Sequence, residues 1–395
     1  MIDYNKIIGD RAAQIPPSGI RKFFDIAAEM KDCISLGVGE PDFVTPATFR
    51  EAAIKSINDG KTQYTSNSGL LELRRAIAKY LKYTVNADYN PDNEILVTVG
   101  ASEGIDLALR ALINPGDEVI VPCPSYVSYA PIVTLCSGVP VIVNTVAENK
   151  FKLTADELKA AVTKKTKALI LPYPNNPTGG VMEKEYLEAI APIIEKNNLI
   201  VISDEIYSEL AYGGERHVSI TELPGMKERT ILLNGFSKGF AMTGWRIGYL
   251  AAPAPLAAAM RKIHQYAIMC APTAGQYAAL AGLEESFKTD FAEVKKMRAE
   301  YDKRRVYLVD RLNKIGLTCF EPRGAFYAFP SVAVTGLTGD EFAEKLLYSQ
   351  KVAVVPGSAF GPSGKNFIRI SYAYSVEKIK IALDKIEAFI KDFKK

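Results

Sequence analysis

The chain has 395 residues, 48% of them hydrophobic and 24% charged, with a formal net charge of +3. This length exceeds what one hydrophobic core usually serves, so a soluble protein of two domains is expected. The small charge leaves no basic footprint for nucleic acid, two histidines disfavour a multi-histidine metal site, and the longest apolar run, 247–260, is broken by Pro253 and Pro255 and falls short of the ~20 residues of a membrane span.

In chain order, an amphipathic helix is predicted over 70–83. Strands follow over 94–100, 118–122, 140–145, 168–172, 199–204, 230–236 and 246–251, with further helices between several of them, one over 155–163. Most of these strands are continuous apolar runs, the pattern of strands covered on both faces. The expectation is an α/β large domain over 46–284, its mostly parallel seven-stranded sheet covered by helices. After about residue 284 the texture changes. A charged helix over 287–313 precedes short strands at 325–329, 352–355 and 367–371 and a last helix over 376–393. This reads as a smaller α+β domain, 285–395, onto which residues 1–45 are expected to pack. The five cysteines (Cys33, Cys123, Cys136, Cys270, Cys319) are scattered without a C-x-x-C, and the opening residues hold no apolar leader run, so a reducing, cytoplasmic setting is expected.

Ligands of doubly wound sheets gather at the carboxyl ends of the strands, so the polar residues there carry the chemistry. Gly100-Ala101-Ser102-Glu103-Gly104 matches G-x-S-x-G on a strand-to-helix turn. That pattern presents either a nucleophilic serine or a phosphate-binding helix N-terminus. Asn176 lies in a Pro/Gly-rich turn after the fourth strand; alone it reads as turn chemistry. Asp204 ends the fifth strand, with Tyr207 three residues on; alone it reads as a helix N-cap. Ser237-Lys238 follow the sixth strand, and Arg246 lies shortly beyond. Desolvation at an apolar strand tip lowers a lysine's pKa and frees a neutral amine for Schiff-base chemistry. A phosphate binder, a ring-oxygen donor, a ring-nitrogen carboxylate and a Schiff-base lysine are together the parts that pyridoxal phosphate requires. The hydrolase alternative needs an acid and a histidine after Ser102. Asp204 with His217 or His264 satisfies that order but leaves Lys238 and Asn176 without roles.

SLGVGEPDF, YTSNSGLLELRRAI, VTVGASEGIDLAL, PYPNNPTGG, SDEIYSEL, SKGFAMTGWRIGY, GAFYAFP and FIRISYA occur in that order over nearly the whole chain. On these motifs the sequence resembles the fold-type I, class I/II aminotransferases of the aspartate aminotransferase superfamily. Its branch looks like the one holding aromatic, aspartate and N-acetyl-diaminopimelate aminotransferases. The resemblance implies pyridoxal 5'-phosphate as cofactor and no metal. It implies that Lys238 carries the cofactor and shuttles the proton, that Asp204 pairs with the ring nitrogen, and that Tyr207 and Asn176 bond the phenolic oxygen. Ala101, Ser102, Ser237 and Arg246 would bind the phosphate, and Tyr126 would stack on the ring. Tyr64 would reach the phosphate of a neighbouring subunit, which implies a homodimer with shared sites. Arg369 would clamp the substrate α-carboxylate, with Asn176 and the backbone N–H of Gly39 beside it.

The implied reaction moves an amino group from an L-amino acid to a 2-oxo acid, with 2-oxoglutarate the expected acceptor, in ping-pong order. A β-lyase or another fold-type I chemistry is the alternative. Glu103 adjoins the phosphate-binding Ser102, and its side chain is expected to point away. Arg21 and Arg323 are candidate cations for a distal substrate carboxylate, with a surface role the simpler reading for each. The segment 19–24 is expected to help shape the substrate pocket.

Overall fold

The computed structural model describes residues 2–17, 30–214 and 216–393. In chain order these form α1 (Asp10–Gln14), β1 (Ile34–Ser35), α2 (Ala47–Asn58), α3 (Leu71–Val85), β2 (Ile95–Thr98), α4 (Gly100–Leu112), β3 (Glu118–Cys123), α5 (Tyr129–Leu135), β4 (Val139–Asn144), α6 (Ala155–Ala161), β5 (Thr166–Leu171) and α7 (Lys184–Lys196). There follow β6 (Ile200–Asp204), β7 (Thr230–Gly235), β8 (Gly248–Ala251), α8 (Ala254–Ala267), α9 (Thr273–Lys288), α10 (Ala292–Ile315), β9 (Tyr327–Ala328), α11 (Gly339–Gln350), β10 (Val352–Ala353), β11 (Val355–Pro356), β12 (Ile368–Ser371) and α12 (Val376–Lys391).

Seven strands form one sheet in the order β2-β8-β7-β6-β5-β3-β4. Only β8 runs against its neighbours; the other six share one direction. Both faces are covered. Ile95 and Val97 enter the core under α2, α3 and α9, whereas Leu96 enters the core under α4 and α8 on the opposite face. Each fully buried Ile, Leu or Val contributes about 1.5–3 kcal/mol. Burial on both faces therefore favours unbroken apolar runs over alternation. The edge strand β4 is the exception: Val139 and Ile142 remain exposed. Helix α4 lies close on β7, since a Cβ at Gly104 would come within 2.9 Å of Leu233 Cδ2. The start of α6 is held by a capping box in which Thr154 and Glu157 satisfy each other's backbone N–H.

Because six strands point one way, their carboxyl ends share an edge with the start of β8. Register brings Thr98, Gly248 and Gly235 into one row across that edge. The rest of the chain builds a second core around α10, α11 and α12. There β11, β12 and β9 form an antiparallel sheet that carries Arg369 and Tyr327. Arg323 and Gly324 donate their N–H groups to Gly179 O at 3.0 and 2.9 Å, docking this sheet's approach onto the turn that holds Asn176.

Three expectations are refined. The helix read over 287–313 is two helices, because Asp290 and Phe291 take φ of 52° and 57° and break the ladder. The Phe291 ring, stacked 5.2 Å from Tyr83, is buried there, and periodicity alone does not reveal the turn. The run 352–355 is two short strands, β10 pairing with β1 and β11 with β12. In the N-terminal segment, Ile34–Ser35 joins β10, but α1 buries no side chain there; its Arg11 shares a cavity wall with Leu135 and Cys136 beside the large sheet.

Candidate active site

A cavity of about 700 Å³ opens at the shared strand edge. It collects Gly39, Ala101, Ser102, Tyr126, Asn176, Asp204, Tyr207, Ser237, Lys238, Arg246 and Arg369 from five strand ends, two loops and β12. Of the residues singled out in the sequence, Tyr64 stays outside it and is 77% exposed. Arg323 borders a separate cavity with Arg216 and His217. Arg21 and the segment 19–24 lie outside the described residues.

Lys238 follows β7 and donates from Nζ to Gly39 O at 2.6 Å. Burial pushes its pKa down to about 8, helped by the cations of Arg369 and Arg246 and opposed by Glu40 and Asp204. The amine is therefore partly neutral near pH 7, as a nucleophilic lysine requires. Asp204, 6% exposed, ends β6. Its Oδ2 accepts from Tyr129 OH at 2.7 Å and its Oδ1 from Ile206 N at 3.2 Å. Burial raises its pKa, and these two donors only partly offset that. A buried carboxylate held by neutral donors is costly unless a cation meets it.

On the wall opposite, Arg369 donates to Asn176 Oδ1 at 2.9 Å and to Gly37 O, and its Nε is buried without a hydrogen-bond partner among the described residues. Its guanidinium lies 4.5 Å from the Tyr327 ring centre and 4.9 Å from that of Phe360, which hold its plane. The Asn176 oxygen is thus committed to Arg369, and its Nδ2 is the donor left for a ligand. Tyr207 OH and Tyr327 OH lie 2.9 Å apart.

At the third corner, α4 begins with no side-chain cap on its first amides. Gly100 has φ +72°, and a Cβ there would strike the Arg246 guanidinium at 2.5 Å; one at Gly248 would strike Ala101 N at 2.5 Å. Only glycines leave the helix start and Arg246 together. Open amides, Ser102 and Arg246 make an anion cup. Glu103 is turned out of it: Oε2 accepts from Val99 N at 2.5 Å, and Oε1 lies 2.7 Å from His264 Nδ1.

These features fit pyridoxal phosphate on its chemistry. There is an anion cup for phosphate, a buried carboxylate in no ion pair among the described residues for the ring nitrogen, a partly neutral lysine, and a guanidinium N–H without a partner among them for a carboxylate. The hydrolase arrangement does not form. His264 is tied to Glu103, and His217 Nε2 lies 2.9 Å from Glu205 Oε2, so neither borders the cavity at Ser102. Tyr129, Tyr327 and Glu40 line the cavity but were not read from the sequence. Tyr129 and Tyr327 look like core aromatics in a linear pattern. Tyr327 does lie inside the GAFYAFP motif, which is the signal that could have found it.

The family profile described as aminotransferase class I and II matches residues 31–386. The chain is 50% identical over 387 residues to the aspartate aminotransferase of Pyrococcus abyssi, covering 98% of this chain and 99% of that one. It is 45% identical over 387 residues to aromatic-amino-acid aminotransferase 2 of Thermococcus litoralis, again covering 98% and 99%. Among solved structures, the Thermus thermophilus aspartate aminotransferase with maleate superposes with a TM-score of 0.92 at 36% identity, covering 96% of this chain and 99% of that one. The sheet and its helices thus have the fold-type I architecture expected from the motifs. No helix among the described residues is long and apolar enough to cross a membrane. The chain belongs to the class I and II aminotransferases and is a pyridoxal-phosphate-dependent enzyme that transfers amino groups between amino acids and oxo acids.

Proposed function

We propose that this enzyme moves the amino group of an L-amino acid to 2-oxoglutarate in ping-pong order, the first oxo acid leaving before the second enters. The names of its relatives point to aspartate or an aromatic amino acid as donor. The observation that carries the reading is that Lys238, Asp204 and Arg369 line one cavity, the lysine with its pKa lowered to about 8.

When bound, pyridoxal phosphate supplies a cationic conjugated ring that withdraws electrons from the bonds at the substrate Cα. The α4 start, Ser102, Ser237 and Arg246 would hold the phosphate. Asp204, oriented by Tyr129, would keep the ring nitrogen protonated. Tyr207 and the Asn176 amide nitrogen would donate to the phenolic oxygen, and Tyr126 would pack against the ring. Arg369 fixes the substrate α-carboxylate through its planar fork, assisted by Gly39 N–H. Lys238 would take the proton released at the substrate Cα and hold it for return to the reacting group.

Tyr64 serves a second copy of the chain. Its ring is exposed, and Asn67 Nδ2 bonds Met269 O, tying its segment to one that exposes Tyr266, Ile268 and Met269 at 87%, 48% and 42%. An exposed apolar patch of this kind supports a homodimer with shared sites. Residues 46–284 form the cofactor-holding unit, and 285–395, joined by Ile34–Ser35 of the N-terminal segment, form the unit that presents Arg369. The five free cysteines accord with a cytoplasmic enzyme.

Purified protein should show the visible absorbance band of lysine-bound pyridoxal phosphate. The band should shift on adding an amino acid and vanish in Lys238→Ala. A wild-type protein that takes up no cofactor overturns the reading. Stoichiometric oxo-acid exchange across a panel of amino acids with 2-oxoglutarate identifies the donor; ammonia and pyruvate release in its place would mark a lyase.

A further inference from the structure

The function above leaves a buried pair near the start of α4 without a role. His264, on α8, is 0% exposed, and its Nδ1 lies 2.7 Å from Glu103 Oε1. Its Nε2 has no hydrogen-bond partner among the described residues. With Nδ1–H donated to the carboxylate, Nε2 keeps a lone pair, which is cheaper to leave unmet than a buried N–H. The other Glu103 oxygen accepts from Val99 N, the amide that precedes α4. Glu103 thus takes the amide outside the cup and leaves those of Ala101 and Ser102 for a ligand. Freed from His264, this carboxylate could turn toward Ser102, where its charge would oppose a phosphate.

We propose that His264 is a positioning residue for the cofactor phosphate. It touches neither cofactor nor substrate. It holds Glu103 outward, so that one carboxylate caps Val99 and stays clear of the anion cup. This rests on the reading that the start of α4 receives the phosphate.

The test compares affinities for pyridoxal phosphate and for pyridoxal, which lacks the phosphate, in the cofactor-free enzyme. His264→Ala should lower the ratio of the two affinities at least tenfold while pyridoxal binding changes less than twofold. His264→Asn, whose amide nitrogen can replace Nδ1 as donor, should keep the ratio within about threefold of wild type. Glu103→Gln carries no charge to oppose a phosphate, so it should hold the ratio at or above wild type, and combined with His264→Ala it should restore the ratio; a double variant as impaired as His264→Ala overturns the proposal. A merely structural role would weaken both ligands alike or lower thermal stability alone, and either result overturns the proposal. So does a His264→Asn variant as impaired as His264→Ala. Ser102→Ala separates the two levels. If it too leaves the ratio unchanged, the phosphate reading itself falls; if it lowers the ratio and His264→Ala does not, only the role of His264 falls.

Discussion

Replacing Glu40 by Gln should make Lys238 a stronger nucleophile at neutral pH. Burial lowers the lysine pKa from the ordinary 10.5 to about 8, and the Glu40 carboxylate is the largest influence opposing that fall. At pH 7.5 a pKa of about 8 leaves roughly one amine in four neutral, against about one in a thousand at the ordinary value. The cavity thus supplies a gain of a few hundred-fold in reactive amine. Removing the Glu40 charge takes away support for the ammonium, so the midpoint moves below 8; Arg369→Met removes a cation and moves it up. The assay treats cofactor-free protein with an amine-specific reagent across a pH series and follows the Lys238 peptide by mass spectrometry. A wild-type midpoint above 10, or an upward shift in Glu40→Gln, would refute the reasoning. The same shift has a stability consequence. Between about 8 and 10.5 the unfolded chain holds more protons at this site than the folded one, so stability of the cofactor-free enzyme gains from this lysine as pH rises through that window. The penalty is complete below it, and Lys238→Met should raise the melting temperature more at pH 7 than at pH 11.

Arg369→Lys keeps the charge but loses the planar fork, and KM for both amino acid and oxo acid should rise about 10- to 100-fold in steady-state kinetics. Ser102→Ala should speed cofactor release on dilution yet retain turnover when cofactor is saturating; complete loss there would revive the nucleophile. Gly100→Ala places a Cβ at φ +72° and against Arg246, costing about 1–2 kcal/mol in urea denaturation and weakening cofactor retention. Asp204→Asn should bind cofactor but lose about a hundredfold or more in kcat, since a neutral amide does not keep the ring nitrogen protonated.

Much of the fold was legible because burial leaves a local trace. Strands covered on both faces appear as apolar runs, and most strands of the large sheet stand out that way. The polar residues at their ends, Ser102, Asn176, Asp204 and Lys238, stood out against those runs, and they do share one cavity. The break at Asp290–Phe291 was not legible, since the helical pattern continues through it.

The linear pattern by itself determined the large sheet's strands, the chemical type of each strand end and, through eight ordered motifs, the family. It could do so because each is a property of neighbours along the chain. Only the tertiary structure decided that β8 inserts between β2 and β7, that Tyr129 meets Asp204 and Tyr207 meets Tyr327, and that Glu103 turns from the start of α4 toward His264. These partners are separated by 75 to 161 residues. Which buried tyrosine or histidine faces a given carboxylate depends on how helices and strands stack, and every core aromatic carries the same signature in one dimension.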